Sequence, residues 1–299
     1  MKPQSEKFLK EIQDANADVR FGAWTRTGEM DPEVIPELAK LLTTAAPGVR
    51  RAAEEALKNM VHAVGKDPAA AKCAPVVGQF IALTADGHPT WVRTIALRHL
   101  SLIGGDETVP AAAKLLRNAE LQEEAVFCLE RIPGHAATQA LMAALPDVSD
   151  AFKPRVLAAL GHRRADEAAD VCARALLSPN LDVSVAAVKA IGRIGKKPSG
   201  DIKLPKEDSL SEWQKTEFAD SVLRYAEGQV ERGNADEAVK IYKDVLQRPQ
   251  EHLQCAALIG LGKANTPQAA ALIFTRLHDR NRTVRITAGK VWTAMAKNA

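Results

Sequence analysis

The side chains that most often perform chemistry are scattered along this sequence rather than clustered. The four cysteines are widely spaced, with no Cys-x-x-Cys pair: Cys73, Cys128, Cys172 and Cys255. Because each has apolar neighbours typical of a helix, we interpret them as small buried hydrophobic residues in a reducing compartment. The sequence also has no Gly-rich phosphate loop, no clustered His/Cys ligand set and no nucleophile elbow.

Adjacent carboxylates do not supply a general acid/base pair either. Glu54 and Glu55, like Glu123 and Glu124, are sequence neighbours and therefore point to different faces of a helix. We expect a protein that is not an enzyme, with no catalytic residue, no metal ligand and no bound cofactor.

The composition indicates a globular chain. Its 299 residues are 46% apolar and 26% charged, and only 4% are aromatic. Abundant alanine with few aromatic rings favours closely packed helices. The net charge of +3 is too small for a surface that traps nucleic acid or acidic membranes as a whole.

The N-terminal residues give an expectation about location. Residues 1–7 have no apolar core, so no signal peptide is expected in them, and the longest uncharged run, residues 73–85, is too short to span a bilayer. We expect a cytoplasmic protein; if a signal peptide once preceded Met1, the protein would be exported or periplasmic.

A phrase of the form Val-Arg-x-x-Ala recurs along the chain and predicts repeated helices. Its alanine position is filled by Ala23, Ala53, Ala96, Ala125, Ala158, Ala187, Ala257 and Ala288. An alanine on the buried face lets a neighbouring helix axis approach to roughly 8–10 Å. The arginine position is filled by Arg20, Arg50, Arg93, Gln122, Arg155, Ser184, Gln254 and Arg285.

Each phrase belongs to the first helix of a predicted helix pair, and glycine followed by Asp or Thr separates it from the second. No segment alternates apolar and polar residues for long, so we expect no β-sheet. The predicted divisions are helical repeats in residues 1–195, a surface loop at 196–208, a long helix with a further helix pair at 209–249, and more repeats at 250–299. We expect one continuous solenoid.

The repeated pattern resembles HEAT repeats, most plainly in Asn16–Arg20, Thr90–Arg93 and Arg282–Arg285. Residues 224–249 are similar to a tetratricopeptide unit. As a whole the chain resembles bacterial HEAT-repeat proteins that carry such a helix pair near the C-terminus. The resemblance implies an all-α fold, an α-α superhelix, and a protein-binding scaffold whose concave face, lined by the second helices, holds the partner.

Three enzyme-related classes share this scaffold. The HEAT-like iron hydroxylases use His-Glu pairs as ligands, and none of the seven histidines here is followed by glutamate. HEAT-like alkylpurine DNA glycosylases, which read DNA through a basic groove, remain an alternative as nucleic-acid-binding or base-processing proteins. A third alternative is a phycobilin-type lyase subunit or lyase chaperone.

The second helices suggest where a partner would bind. Their charged residues fall on the face opposite the apolar residues, and we call these positions the second-helix stripe: Glu33, Glu37, Lys40, Glu107, Lys114, Asp170, Arg174, Lys240 and Asp244. Because the stripe mixes both signs, it disfavours a phosphate track and favours a protein partner over nucleic acid. Trp213, beside the predicted loop, is the tryptophan expected to be exposed for a partner. The sequence leaves the oligomeric state open.

The recurrent arginines have a structural interpretation. An arginine at the start of each first helix is expected to pair with an acidic or carbonyl group between neighbouring repeats. The places where it is replaced, Gln122, Ser184 and Gln254, are therefore the positions where a specific function is to be sought.

Overall fold

A computed structural model of the chain describes residues 1–67, 71–199 and 209–297, and every regular element among them is helical. The chain divides into two compact units, Met1–Val148 and Ser149–Ala299. The predicted all-α helical repeat is confirmed. The divisions at residues 195, 208 and 249 and the continuity of the solenoid stay predictions. None of the described helices combines the length and apolar character that a membrane span requires.

The described residues of the first unit form nine α-helices: α1 (Pro3–Ile12), α2 (Ala17–Thr25), α3 (Val34–Thr44), α4 (Pro47–Gly65), α5 (Cys73–Leu83), α6 (Thr90–Ile103), α7 (Val109–Leu115), α8 (Gln122–Arg131) and α9 (His135–Ala144). First helices pack on first helices in the order α2, α4, α6, α8, and second helices pack alongside, α3 on α5 and α7 on α9. This two-row stacking is the packing of a helical repeat.

The second unit continues with eight described α-helices: α10 (Lys153–Arg163), α11 (Ala169–Ala175), α12 (Leu181–Ile194), α13 (Glu212–Glu231), α14 (Ala235–Val245), α15 (Glu251–Ala264), α16 (Pro267–Thr275) and α17 (Arg282–Lys297). Helices α10, α12, α13, α15 and α17 pack in one row, and α14 packs against α16 in the other. Of the predicted loop, residues 196–199 are non-helical and residues 200–208 lie outside the described residues.

The repeat alanines lie where helices meet. Seven of the eight aligned alanines are buried with no exposed surface, and the eighth, Ala158, is only partly buried. In α10 the fully buried small residue is the next one, Ala159. Helix α10 therefore differs from the other first helices in leaving its repeat alanine partly exposed.

Three of the five recurrent arginines bind main-chain carbonyls closely just beyond the preceding helix, which confirms the structural interpretation for these three. Inside a helix, each carbonyl accepts a hydrogen bond from the amide four residues later. A carbonyl beyond the end of the helix has no such donor. The donor–acceptor pairs are Arg20 Nη1 to Asp14 (2.7 Å) and Ala15 (2.8 Å), Arg93 Nε to Thr84 (2.9 Å), and Arg285 Nη1 to Asp279 (2.6 Å).

Two of the substitutes for arginine make the same contact with shorter side chains. Ser184 Oγ donates to the carbonyl of Leu176 at 2.9 Å, and Gln254 Nε2 donates to that of Arg248 at 2.6 Å. Both replacements thus keep the structural role of the arginine, and a further function at these positions stays a prediction.

Some helix contacts require glycine. A Cβ on Gly192 of α12 would lie 2.6 Å from the carbonyl oxygen of Ser221 in α13, and one on Gly260 of α15 would lie 2.3 Å from the Tyr242 ring in α14. In contrast, a Cβ on Gly22 of α2 would meet nothing within 4 Å.

We expect Arg93→Ala to lower the free energy of unfolding by about 2 kcal/mol, because it strands a buried carbonyl and breaks the 2.9 Å ion pair with Asp86. Arg50→Ala is the matched control, since Arg50 is exposed and its carbonyl contact is 3.5 Å long; its cost should be below about 0.5 kcal/mol. Urea unfolding of both variants measures the difference, and equal losses would contradict the role given to Arg93.

A second pair of variants tests the glycine contact. Gly192→Ala should destabilise the protein by about 2 kcal/mol, because the backbone oxygen of Ser221 cannot move aside as a side chain would. Gly22→Ala should raise stability by up to about 1 kcal/mol, since alanine favours a helix interior and has open space there. Thermal unfolding followed by circular dichroism distinguishes the signs; two shifts in the same direction would refute the assignment.

Candidate functional site

The stripe residues of α3 are held by local polar contacts. Glu33 Oε1 accepts a hydrogen bond from the main-chain nitrogen of Lys2 at 3.0 Å. Lys40 Nζ pairs with Glu37 Oε1 at 2.7 Å, three residues earlier on the same helix. Lys40 and Glu37 therefore compensate each other's charge within the first unit, while Glu33 has a neutral donor.

The same holds around α7. Glu107 Oε1 accepts from the main-chain nitrogen of Gly105 at 3.0 Å, and Lys114 Nζ pairs with Asp86 Oδ2 at 2.9 Å. Asp86 also receives Arg93, so one carboxylate serves two cations. The hydrogen bond from Lys114 is the main reason that the pKa of Asp86 lies below its ordinary value, with the charge of Arg93 adding to it.

In the second unit the stripe is partly engaged. Asp170 accepts from the main-chain nitrogen of Ser199 (2.7 Å) and from its hydroxyl (3.0 Å), and the main-chain bond is the principal cause of the lowered pKa of Asp170. Lys240 Nζ lies 3.7 Å from Glu237. Arg174 and Asp244 are exposed and have no ion pair among the described residues.

Trp213 lies at the start of α13 and is 60% exposed, as expected from the sequence. Lys189 Nζ stands 5.9 Å from the centre of its ring, and the same ammonium group pairs with Glu217. The indole is thus held by a cation–π contact rather than by a hydrophobic pocket.

Sequence reasoning missed most of the exposed apolar side chains. The large ones on first helices are Val19, Phe21, Trp91, Leu102, Phe127, Ile259, Ile286 and Trp292. Trp91, which directly precedes Val92 of the repeat phrase, is half exposed and does not fill the space between helices. The repeat pattern identifies the residues that lie near the repeat alanine. It does not distinguish an apolar residue that points to solvent from a buried one on the same turn.

Two of the exposed rings form a surface aromatic pair in the second unit. Phe274 of α16 is 56% exposed and Trp292 of α17 is 37% exposed, with ring centres 5.5 Å apart and planes tilted by 55°. A separate groove of about 420 Å³ runs between α15 and α17, and its apolar lining includes Ile259, Val291 and Met295.

A polar pocket of about 250 Å³ lies over α10, α12 and α13. Its floor contains Gly161, Gly192 and Gly228, one from each helix. Each glycine touches a neighbouring backbone so closely that a Cβ would come within 2.6–2.9 Å of it. The three helices therefore pack backbone against backbone beside the pocket.

The buried titratable groups are suited to packing. Burial raises the pKa of the Cys128 and Cys172 thiols to about 12, which keeps both protonated and poor as nucleophiles or ligands. Cys73 is also buried, whereas Cys255 is partly buried and accepts a hydrogen bond from Thr287 Oγ1 at 3.4 Å. Across the described ranges, no group of three or more His, Cys, Asp or Glu side chains is placed to hold a metal ion.

No protein-family model matches this sequence, and neither does any curated protein. Among solved structures, the crystal structure of an engineered protein is 18% identical with a TM-score of 0.43, and the match covers 99% of this chain and 89% of the other. Human deoxyhypusine hydroxylase, solved with glycerol, is 14% identical with a TM-score of 0.30, covering 99% and 96%. At these values neither comparison identifies a family.

His99 makes the stability of the first unit dependent on pH. It is 8% exposed in α6, with its ring centre 5.0 Å from that of Phe80. Burial, with a smaller effect of the Lys58 charge, lowers its pKa from 6.5 to about 4. Because the unfolded chain binds the proton more tightly, stability should be constant above pH 6.5 and fall by about 3 kcal/mol between pH 6.5 and 4.

The measurement is urea unfolding of the wild type and His99→Gln across that pH range. The variant lacks this titrating group, so its stability should fall less than that of the wild type, by about 3 kcal/mol across the range. Parallel curves would show that His99 does not cause the dependence.

Proposed function

We propose that this protein is a non-enzymatic scaffold that binds a protein partner, and that Phe274 and Trp292 belong to the contact surface. The surface aromatic pair is the observation that supports this most directly. Two rings from different helices pack against each other while a large part of each faces solvent. Such exposure leaves apolar area in water at about 25 cal/mol per Å², a cost that a bound partner would remove.

The kinds of residue at this place fit partner binding. Aromatic side chains are enriched among the residues that dominate protein interfaces, because they bury a large area with little loss of conformational freedom. The second-helix stripe stays a predicted contact surface. Because several of its charges already form local ion pairs, the stripe is better suited to the polar rim of an interface than to its centre. Charges at the rim contribute little affinity.

The absence of catalysis is part of the proposal. It is supported by the protonated, buried thiols of Cys128 and Cys172 and by His99, whose lowered pKa keeps it neutral at pH 7. Nucleic-acid binding has less support, because residues of both signs share the second-helix stripe in each unit.

We also propose that α13 and α14 form a tetratricopeptide-like pair. Ala226 and Ala238 have no exposed surface where the two helices meet, and Tyr242 is 2% exposed. Gly233 in the turn has φ +79°, a conformation that glycine adopts without strain. The bacterial origin implied by the resemblance and the cytoplasmic location stay predictions.

The test is affinity capture from the native cell lysate, followed by mass spectrometry. The bait proteins are the wild type, Phe274→Ser and a control, Leu177→Ser. Leu177 is an exposed leucine of the second unit outside the aromatic pair. We expect one stoichiometric protein from the wild type and the control, and about tenfold or lower recovery from Phe274→Ser, as for loss of a dominant interface residue. Circular dichroism checks that both variants fold.

Two results would overturn the proposal. One is recovery of nucleic acid without a protein partner. The other is equal recovery of the same partner by Phe274→Ser and Leu177→Ser, which would place the contact elsewhere.

A further inference from the structure

The polar pocket over α10, α12 and α13 has an uneven charge arrangement. Its polar lining consists of His162, Arg164, Arg193, Arg224, Glu227 and Glu231. Most of these charges already have partners. Arg164 pairs with Glu231 at 2.7 Å inside the pocket, while Arg224 pairs with Asp220 at 2.7 Å and Glu227 with Lys263 at 2.5 Å, outside its lining.

Arg193 is the exception. Its guanidinium has no hydrogen bond or ion pair with any described residue, although the residue is partly buried. With the partners outside the lining included, there are four cationic side chains, the three arginines and Lys263. The carboxylates are three, and they are Asp220, Glu227 and Glu231. The charge left without a partner is that of Arg193. The guanidinium nitrogens still reach solvent, so their N–H donors are open to an acceptor on a ligand.

The single unpaired charge limits the class of ligand. A carboxylate matches a guanidinium through two parallel N–H···O bonds and carries one negative charge. A phosphate monoester carries nearly two, and here it would meet Glu227 and Glu231 as well. These two glutamates can instead accept hydrogen bonds from the amide groups of a peptide, which a free anion does not offer.

We propose that this pocket binds the carboxylate side chain of an acidic peptide segment, with Arg193 as its main contact. The proposal rests on the scaffold function and specifies the chemistry of the partner. Gly161, Gly192 and Gly228 line the same pocket and let its three helices pack backbone against backbone. The carboxylate of the peptide supplies the partner that the helix packing does not give to Arg193.

The experiment measures fluorescence anisotropy of a labelled peptide with four consecutive glutamates against a matched peptide with four glutamines, at physiological salt. The proteins are the full-length wild type, Arg193→Gln and Arg280→Gln. Arg280 is exposed, has no ion pair among the described residues and lies outside the pocket, so its variant loses the same charge elsewhere.

We expect the glutamate peptide to bind the wild type and the Arg280→Gln control alike, and to bind Arg193→Gln about tenfold more weakly, as for loss of a charge-assisted pair. Equal binding of the glutamine peptide would overturn the proposal. So would equal weakening in both variants, or no weakening in Arg193→Gln. Displacement of the peptide by inorganic phosphate at a lower concentration than by acetate would assign the pocket to phosphate instead.

The outcome separates the pocket from the scaffold function. Capture of the same partner by Arg193→Gln and the wild type, with no binding of the glutamate peptide, would remove the pocket assignment and leave the scaffold. Peptide binding that needs Arg193, without any captured protein, would support the pocket and count against the scaffold.

Discussion

The stacking of one helix pair on the next depends on main-chain carbonyls that a helix leaves unpaired beyond its C-terminal end. Several first helices begin with a side chain that reaches back to such a carbonyl, among them Arg93 to Thr84, Ser184 to Leu176 and Gln254 to Arg248. Because a buried carbonyl without a donor is costly, the donor must be present, but its length can vary. The structure therefore tolerates serine and glutamine at an arginine position.

Close approach of the helices is the second constraint, and it also shapes the surface. Alanines fill the contacts within the rows, and glycines such as Gly192 allow backbones to touch. Three such glycines, on neighbouring helices, also line the polar pocket of the second unit. The proposed peptide site thus lies over a close contact between helices.

The charged second-helix stripe gives less information about where a partner binds than its sequence pattern indicates. Lys40, Lys114 and Asp170 are engaged by neighbours in their own units, so they contribute to solvation and local order. Apolar side chains that face solvent, Phe274 and Trp292 above all, have no such compensation. A partner gains more free energy by covering them than by replacing existing ion pairs.

The sequence by itself determined the helices, their order and most of the repeat register, since helix periodicity and capping residues are local signals. It missed that α10 buries Ala159 more completely than Ala158, because the repeat pattern, with Arg155 at the arginine position, selects Ala158. Only the tertiary structure decided that Trp91 faces solvent and that Arg193 is left without a partner. Exposure and charge pairing depend on residues far apart in the sequence, brought together only when the helices pack.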